Sequence, residues 1–307
     1  MKSIPKLPAD HDARLQRTLL SLDGLSVGDA FGDCFFGSDR VIIERIAHRI
    51  APPAPWGYSD DTVMALSIYR CLESFGHIEQ DHLANSFASE YRLAPDRGYG
   101  GTAHGILQAI GAGTPWQEAA GSVFSGMGSM GNGGGMRAAP VGAYFADDIP
   151  ALIDAARKSA AVTHAHPEGQ TGAIAIALAA AWAWNHRMHP AGEPAREMIE
   201  FVLAHLPDCD TGARLRRSLN IPWTTTPLIV GHKIGNGSLV TAPDTVPLAI
   251  WCAARHCWNY LDALWAVVSA FGDLDTTCAM VGSIVALSAG RASIPLDWLS
   301  AREPLPL

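Results

Sequence analysis

Residues 14–30, RLQRTLLSLDGLSVGDA, set Leu15, Leu19, Leu22 and Leu25, and after them a run of small residues, on one face of a helix. The spacing predicts an amphipathic helix, and the same period returns along the chain. It is legible over residues 63–75, 81–91, 102–110, 116–124 and 149–162, and again over 171–185, 194–204, 246–255, 261–270 and 277–289. Glycine and proline fall at nearly every junction, as expected of short connections between helices. Two apolar runs, 41–43 and 228–230, are too short to carry a sheet. No linker, composition shift or fixed-period repeat divides the sequence. The expectation is one compact all-α domain over residues 1–307, in which 208–240, the least regular stretch, forms a lid or an irregular insert.

Composition agrees with a folded enzyme-sized unit. Hydrophobic residues make up 48% of 307 and charged residues 17%, a balance that supplies a sizeable core and argues against disorder. The formal charge of −8 provides no basic face for a nucleic-acid backbone, so no nucleic-acid partner is expected. Six scattered cysteines form no CxxC pair and read as reduced packing residues. The first residues lack the apolar core of a signal peptide. The most apolar stretch, 172–184, is shorter than the ~20 residues that span a bilayer. A cytoplasmic protein without a membrane partner is the expectation.

Chemistry concentrates in two acidic clusters, Ser59-Asp60-Asp61-Thr62 and Asp273-Leu274-Asp275-Thr276, each placed just before an apolar helical run. Asp, Ser and Thr are also the preferred helix-capping residues, and an acid at a helix start is favourable in itself. A cap needs one side chain, however, and each cluster supplies a surplus. Four carboxylates gathered by the fold would repel unless a cation neutralised them, and oxygen ligands suit hard ions such as Mg²⁺, Mn²⁺ or Ca²⁺ rather than zinc. The glycine-rich stretch from Gly126 to Arg137 reads either as a backbone anion nest or as a mobile surface loop. Arg137 then pairs with a carboxylate or phosphate, or forms an ordinary salt bridge. It is no Walker A motif, since no Gly-Lys-Ser/Thr follows. In Thr163-His164-Ala165-His166-Pro167-Glu168 the two histidines lack the further ligands of a zinc site, and His164 is better read as a hydrogen-bond donor to a ligand.

In order along the chain, these segments resemble the ADP-ribosylglycohydrolase family. Gly24-Leu25-Ser26-Val27-Gly28-Asp29-Ala30-Phe31-Gly32 is similar to its GxxxGDAxG motif, and Ser59-Asp60-Asp61-Thr62 to its (T/S)DDT. Arg97-Gly98-Tyr99-Gly100 follows, then residues 128–137, similar to GSxGNGxxMR, and residues 163–168, similar to THxHPE. Gly235-Asn236-Gly237 and Asp244-Thr245-Val246-Pro247 lead to Gly272-Asp273-Leu274-Asp275-Thr276. The resemblance implies a compact orthogonal helical domain around a site for two Mg²⁺ ions, with Mn²⁺ as a substitute. Ser59, Asp60 and Asp61 would meet Asp273, Asp275 and Thr276 there, with Asp61 or Asp273 handling the attacking water. It further implies that Gly98, Tyr99, Gly100, Ser129, Met130, Gly131, Asn132, Gly133, Met136 and His164 line the substrate. The partner implied is an ADP-ribosylated protein, and ADP-ribose is the product ligand.

The sequence departs from the family pattern at three places. Phe271 stands where the family usually carries glycine, and Met130 replaces a frequent aromatic. Phe36 occupies the position of a glutamate found in many relatives, with Glu44 the nearest substitute. The missing glutamate points to arginine as the modified residue, with ADP-ribosyl-serine and O-acetyl-ADP-ribose as the alternative conjugates. A non-catalytic ADP-ribose reader is disfavoured because both acidic clusters are intact.

Overall fold

A computed structural model describes residues 7–37, 40–187 and 193–307. All regular structure among them is helical, in one compact domain. The series begins with α1 (His11–Asp33), α2 (Arg40–His48), α3 (Asp60–Phe75), α4 (Gln80–Leu93), α5 (Gly101–Gly111) and α6 (Trp116–Gly121). It continues through α7 (Gly133–Met136), α8 (Ala139–Tyr144), α9 (Ile149–Ala161), α10 (Pro167–Asn185), α11 (Pro194–His205) and α12 (Asp210–Ser218). It ends with α13 (Pro227–Ile234), α14 (Ala242–Arg255), α15 (Tyr260–Val268), α16 (Leu274–Ala289) and α17 (Leu296–Ala301).

The first helix is amphipathic only over its opening turns. From Ser21 to Gly32 every residue is buried, because α16 lies directly against it. Glycine permits that approach. A Cβ on Gly24, Gly28 or Gly32 would stand 2.3 Å from the carbonyl oxygen of Gly282, Cys278 or Leu274 respectively, closer than any side chain tolerates. Three glycines four residues apart lie on one face of α1, so the two backbones touch along three turns. Tyr260 of α15 closes the seam by donating its hydroxyl to Gly24 O at 2.7 Å. Through this seam the amino end of α16 comes to rest beside Asp29.

The alanine-rich α10 is the second buried axis, surrounded by α7, α8, α9, α11, α14 and α16. An aromatic group of Phe31, Trp56, Trp265 and Trp298 anchors the loop that feeds α3, with Phe31 stacked on Trp298 at 4.4 Å between ring centres. That loop is also tied to the carboxyl-terminal segment: Trp56 N donates to Ala301 O at 2.7 Å, and Glu303 N to Trp56 O at 2.8 Å.

Residues 208–240, read as a lid or irregular insert, contain α12 and α13. The buried face of α12, Thr211, Leu215 and Ser218, packs toward α14. Glu168 anchors its amino end, accepting from Asp210 N at 2.6 Å and Thr211 Oγ1 at 2.8 Å. Both short apolar runs lie inside helices, α2 and α13. None of the six cysteines is disulfide-bonded, and no helix among the described residues is long and apolar enough to cross a membrane.

Candidate metal centre and ligand cradle

Two helix starts and one helix interior converge. Ser59 caps α3, its side chain accepting from Asp61 N at 3.2 Å, which leaves the carboxylates of Asp60 and Asp61 free of capping duty. Asp29, in the buried half of α1, satisfies the neighbouring donors. It accepts from Ser59 N at 3.0 Å, Thr62 N at 3.0 Å and Thr62 Oγ1 at 2.5 Å. At the other helix start, Asp273 holds the capping position of α16 yet makes no capping bond. Its Oδ2 instead accepts from the Asn132 amide at 2.5 Å, and Asn132 also donates to Thr245 Oγ1 at 3.1 Å.

The two acidic clusters meet directly. Asp61 Oδ2 accepts from Ser59 Oγ at 2.9 Å and from Thr276 Oγ1, of the other cluster, at 3.3 Å. Asp29, Asp61 and Asp275 present oxygens that all lie within 4.8 Å of one another, and the charges of Asp60 and Asp273 act on Asp61 from beside them. Burial raises every one of these acids. Asp29 is pushed up to about 6, and Asp60 to about 7 with help from the Asp29 charge. Asp61 and Asp275 are driven well above the ordinary carboxylate range by burial and then by their acidic neighbours, Asp275 for Asp61 and Asp273 for Asp275. Asp273 is raised by burial, against the opposing bond from Asn132.

Such an arrangement is unfavourable for protein alone, since buried like charges require neutralisation. Asp61 Oδ1 is the clearest sign: it is buried and has no hydrogen-bond partner. A hard divalent cation fits the oxygen-only donor set, the charge surplus and this open lone pair. Asp29 is the participant that sequence reasoning missed. Its signal was a lone carboxylate inside the buried small-residue run of Gly24 to Gly32, but its partners lie 30 and 33 residues away.

The glycine-rich stretch is pinned rather than mobile. Gly128, at φ 77°, lies so close to the 163–166 turn that a Cβ there would stand 2.6 Å from Ala165 Cβ and from His166 N. Gly131 N donates to Ser129 Oγ at 3.1 Å and Asn132 N to Val240 O at 3.2 Å. The amides of Gly133 and Gly134 have no protein acceptor among the described residues. The His164 ring lies beneath this turn, with Nε2 about where side chains on Gly131 and Gly133 would otherwise sit, 3.2 and 3.3 Å from their Cβ positions. Burial, and then the Arg137 charge, lower His164 to about 3, so its ring is neutral.

The remaining expected residues are distributed unevenly. Gly98, at φ 89°, lies against Ser59 and Asp60, and Gly100 caps α5. Tyr99 is buried with its hydroxyl unpartnered. Met130 is exposed at the rim, whereas Met136 is buried in the core with Sδ against Gly133. The Asn132 side chain faces Asp273.

Among the described residues, Arg137 forms neither the carboxylate pair nor the ordinary salt bridge that the sequence offered. It is 1% exposed, has no carboxylate within ion-pair distance among the described residues, and lies over the Phe87 ring at 4.5 Å. Its guanidinium donates to Thr163 Oγ1 at 2.7 Å and Ser159 O at 3.3 Å. His166 is a cap for α10, accepting from Glu168 N at 3.1 Å. Phe36 is exposed, and Glu44 pairs with Arg40 at 2.7 Å on an exposed face of α2.

The ADP-ribosylglycohydrolase family profile matches residues 10–304. The chain is 29% identical to ADP-ribosylhydrolase ARH3 of Xenopus tropicalis, with 92% of this chain and 90% of that protein aligned. It is 28% identical to the human protein of the same name, over 92% and 88% of the two chains. The solved structure of an ADP-ribosylglycohydrolase-related protein complex superposes with a TM-score of 0.64 at 23% identity, covering 95% of this chain and 94% of that one, and so shares the fold. The chain belongs to the ADP-ribosylglycohydrolase family, and with its relatives it is a glycosyl hydrolase acting on ADP-ribosylated substrates.

Proposed function

We propose that this protein hydrolyses the bond between the terminal ribose of ADP-ribose and an oxygen-linked group, as in ADP-ribosyl-serine or O-acetyl-ADP-ribose. The likeness to proteins named ADP-ribosylhydrolase ARH3 favours these conjugates over the arginine conjugate expected from Phe36. One observation carries the catalytic reading: the buried, partnerless Asp61 Oδ1 inside the Asp29, Asp61 and Asp275 trio, next to a glycine-lined cradle. Asp29, Ser59, Asp60, Asp61, Asp273, Asp275 and Thr276 would hold divalent cations, which we take to be two Mg²⁺ ions. When bound, they would supply charge neutralisation and Lewis acidity at the ribose.

The side chains divide the remaining work. Asp61, fixed through Oδ2 by Ser59 and Thr276, keeps its other oxygen for ligation. Asp273, fixed through Oδ2 by Asn132, keeps Oδ1 to accept the proton of the attacking water. As the bond to the anomeric carbon breaks, positive charge grows on the sugar ring, where the surrounding carboxylates stabilise it, and the departing oxygen keeps the bonding electron pair and takes a proton from solvent. Gly133, Gly134 and His164 hold the diphosphate side. Gly98, Tyr99, Gly100, Ser129, Met130, Gly131, Asn132 and Met136 form or support the walls.

The deciding experiment incubates the protein with serine- and arginine-ADP-ribosylated peptides and with O-acetyl-ADP-ribose, each with Mg²⁺ and with EDTA. We expect Mg²⁺-dependent release of ADP-ribose from the oxygen-linked substrates. Release from the arginine peptide alone would reverse the choice of conjugate. No release from any substrate, alongside tight ADP-ribose binding, would leave a reader in place of a hydrolase.

A further inference from the structure

We infer that Arg137 and Thr163 are positioning residues that fix His164 in the tautomer protonated at Nε2 and aim that N–H into the glycine-lined cradle as a donor to the ligand. The inference rests on the reading of the cradle as the ADP-ribose site.

Three buried groups form a directional chain. Arg137 Nη2 stands 2.7 Å from Thr163 Oγ1, which stands 2.7 Å from His164 Nδ1. A guanidinium can only donate. The Thr163 oxygen therefore accepts from Arg137, and the hydroxyl keeps its own proton to give away. Among the described residues His164 Nδ1 is the one acceptor within its reach. Thr163 is 2% exposed, so water offers no substitute.

The opposite arrangement, with Nδ1 protonated, would set an N–H donor and a guanidinium against one oxygen and orphan the hydroxyl proton. That leaves a buried donor unsatisfied and incurs its full desolvation penalty. The polarity of the chain follows: Arg137 to Thr163, Thr163 to His164 Nδ1, and the remaining imidazole proton on Nε2. The guanidinium charge also polarises the hydroxyl between them, strengthening its donation. Protonating both ring nitrogens is disfavoured by burial and by the nearby Arg137 charge.

The far end of the ring is where a donor is useful. Nε2 has no protein partner among the described residues, and it faces the gap left by the absent side chains of Gly131 and Gly133. A residue with a Cβ at either position would crowd that nitrogen at 3.2 or 3.3 Å. Arg137 thus reaches the ligand site through two hydrogen bonds and a tautomer, while its own charge remains buried over Phe87.

Side-chain ¹⁵N NMR of the 307-residue chain reads the tautomer, with His164 signals assigned by their loss in His164→Gln. Wild type and Thr163→Ser are expected to show one neutral form protonated at Nε2. Thr163→Val keeps the shape but removes the hydroxyl; it should lose that preference and bind ADP-ribose about tenfold more weakly by calorimetry. Restoration of both properties in Thr163→Ser separates the relay from simple packing. A wild-type ring protonated at Nδ1 would overturn the inference even if Thr163→Val failed to fold. So would a folded Thr163→Val with unchanged tautomer and affinity. If the tautomer shifts as expected but wild type binds no ADP-ribose, the relay stands and the ligand reading of the cradle falls.

Discussion

At the start of α3, Ser59 takes the capping bond and Asp29 of α1 collects the neighbouring donors, so Asp60 and Asp61 project from a frame made of buried helix. At the start of α16, Asp273 occupies the capping position without a capping bond and is steadied by Asn132, a loop residue. The loops around the second cluster are themselves tightly fitted. A Cβ on Gly272 would lie 2.1 Å from Asn236 O, and one on Gly237 would lie 2.7 Å from Asp273 Cβ. Next to them Phe271 is held at φ 57°, in the left-handed region that glycine prefers. The helix-framed half fixes where the acids stand, and the loop-framed half sets how one of them points. A defect in the first should remove the centre; a defect in the second should misalign it.

Asp61→Asn attacks the helix-framed half and carries the largest expected effect. Turnover should fall about 10³-fold, or ~4 kcal/mol of barrier, while circular dichroism stays unchanged. The metal-free variant should melt no lower than wild type, because a buried charge without a partner has been removed. Wild-type turnover in Asp61→Asn would sink the assignment of the trio.

Saturating metal comes next. Mg²⁺ at a hundred times its dissociation constant should stabilise the wild-type protein by about 2.7 kcal/mol relative to EDTA, read as a rise in Tm, and the rise should largely vanish in Asp61→Asn. An equal rise in both proteins would place the ion elsewhere.

Asn132→Ala tests the loop-framed half. Loss of a residue that orients a ligating acid typically lowers metal affinity or activity about 10- to 100-fold, so this variant should keep measurable turnover. If its loss equalled that of Asp61→Asn, the distinction between the two halves would collapse. Phe271→Gly should have the smallest effect. Relief of the left-handed backbone should raise stability by about 0.5–1 kcal/mol, seen as a higher denaturation midpoint at unchanged slope.

The pattern of the sequence carried most of the fold. Every helix expected from apolar periodicity is present, because long buried faces such as those of α3, α10 and α16 repeat their signal over several turns. The elements that escaped are short or weakly patterned. The four residues of α7 are mostly glycine, α8 is six residues long with Pro140 in its first turn, and α12 buries a narrow face within a run of arginines. In α2 the exposed Val41 and Ile43 imitate a strand.

The candidate centre was legible where chemistry clusters along the chain, as in Ser59 to Thr62. It was illegible where a single side chain acts through distant partners. Asp29, Thr163 and Arg137 each draw meaning from contacts 26 or more residues away, as in the Arg137 bond to Thr163. Residue type alone made Arg137 look like a partner for an anion, and only the fold reveals it over Phe87.

The glycine seam between α1 and α16 behaves as a ruler. Asp29 follows Gly28 directly, and Asp275 follows Leu274, whose carbonyl faces Gly32. Sliding either helix by one residue would turn its acid by about 100° and move it about 1.5 Å along the axis. The separation of two oxygens of the acidic trio is thereby tied to a backbone contact that runs as far as Gly24 and Gly282. A methyl group added at that far end would reach the acids as an error in spacing, without touching anything in the cleft.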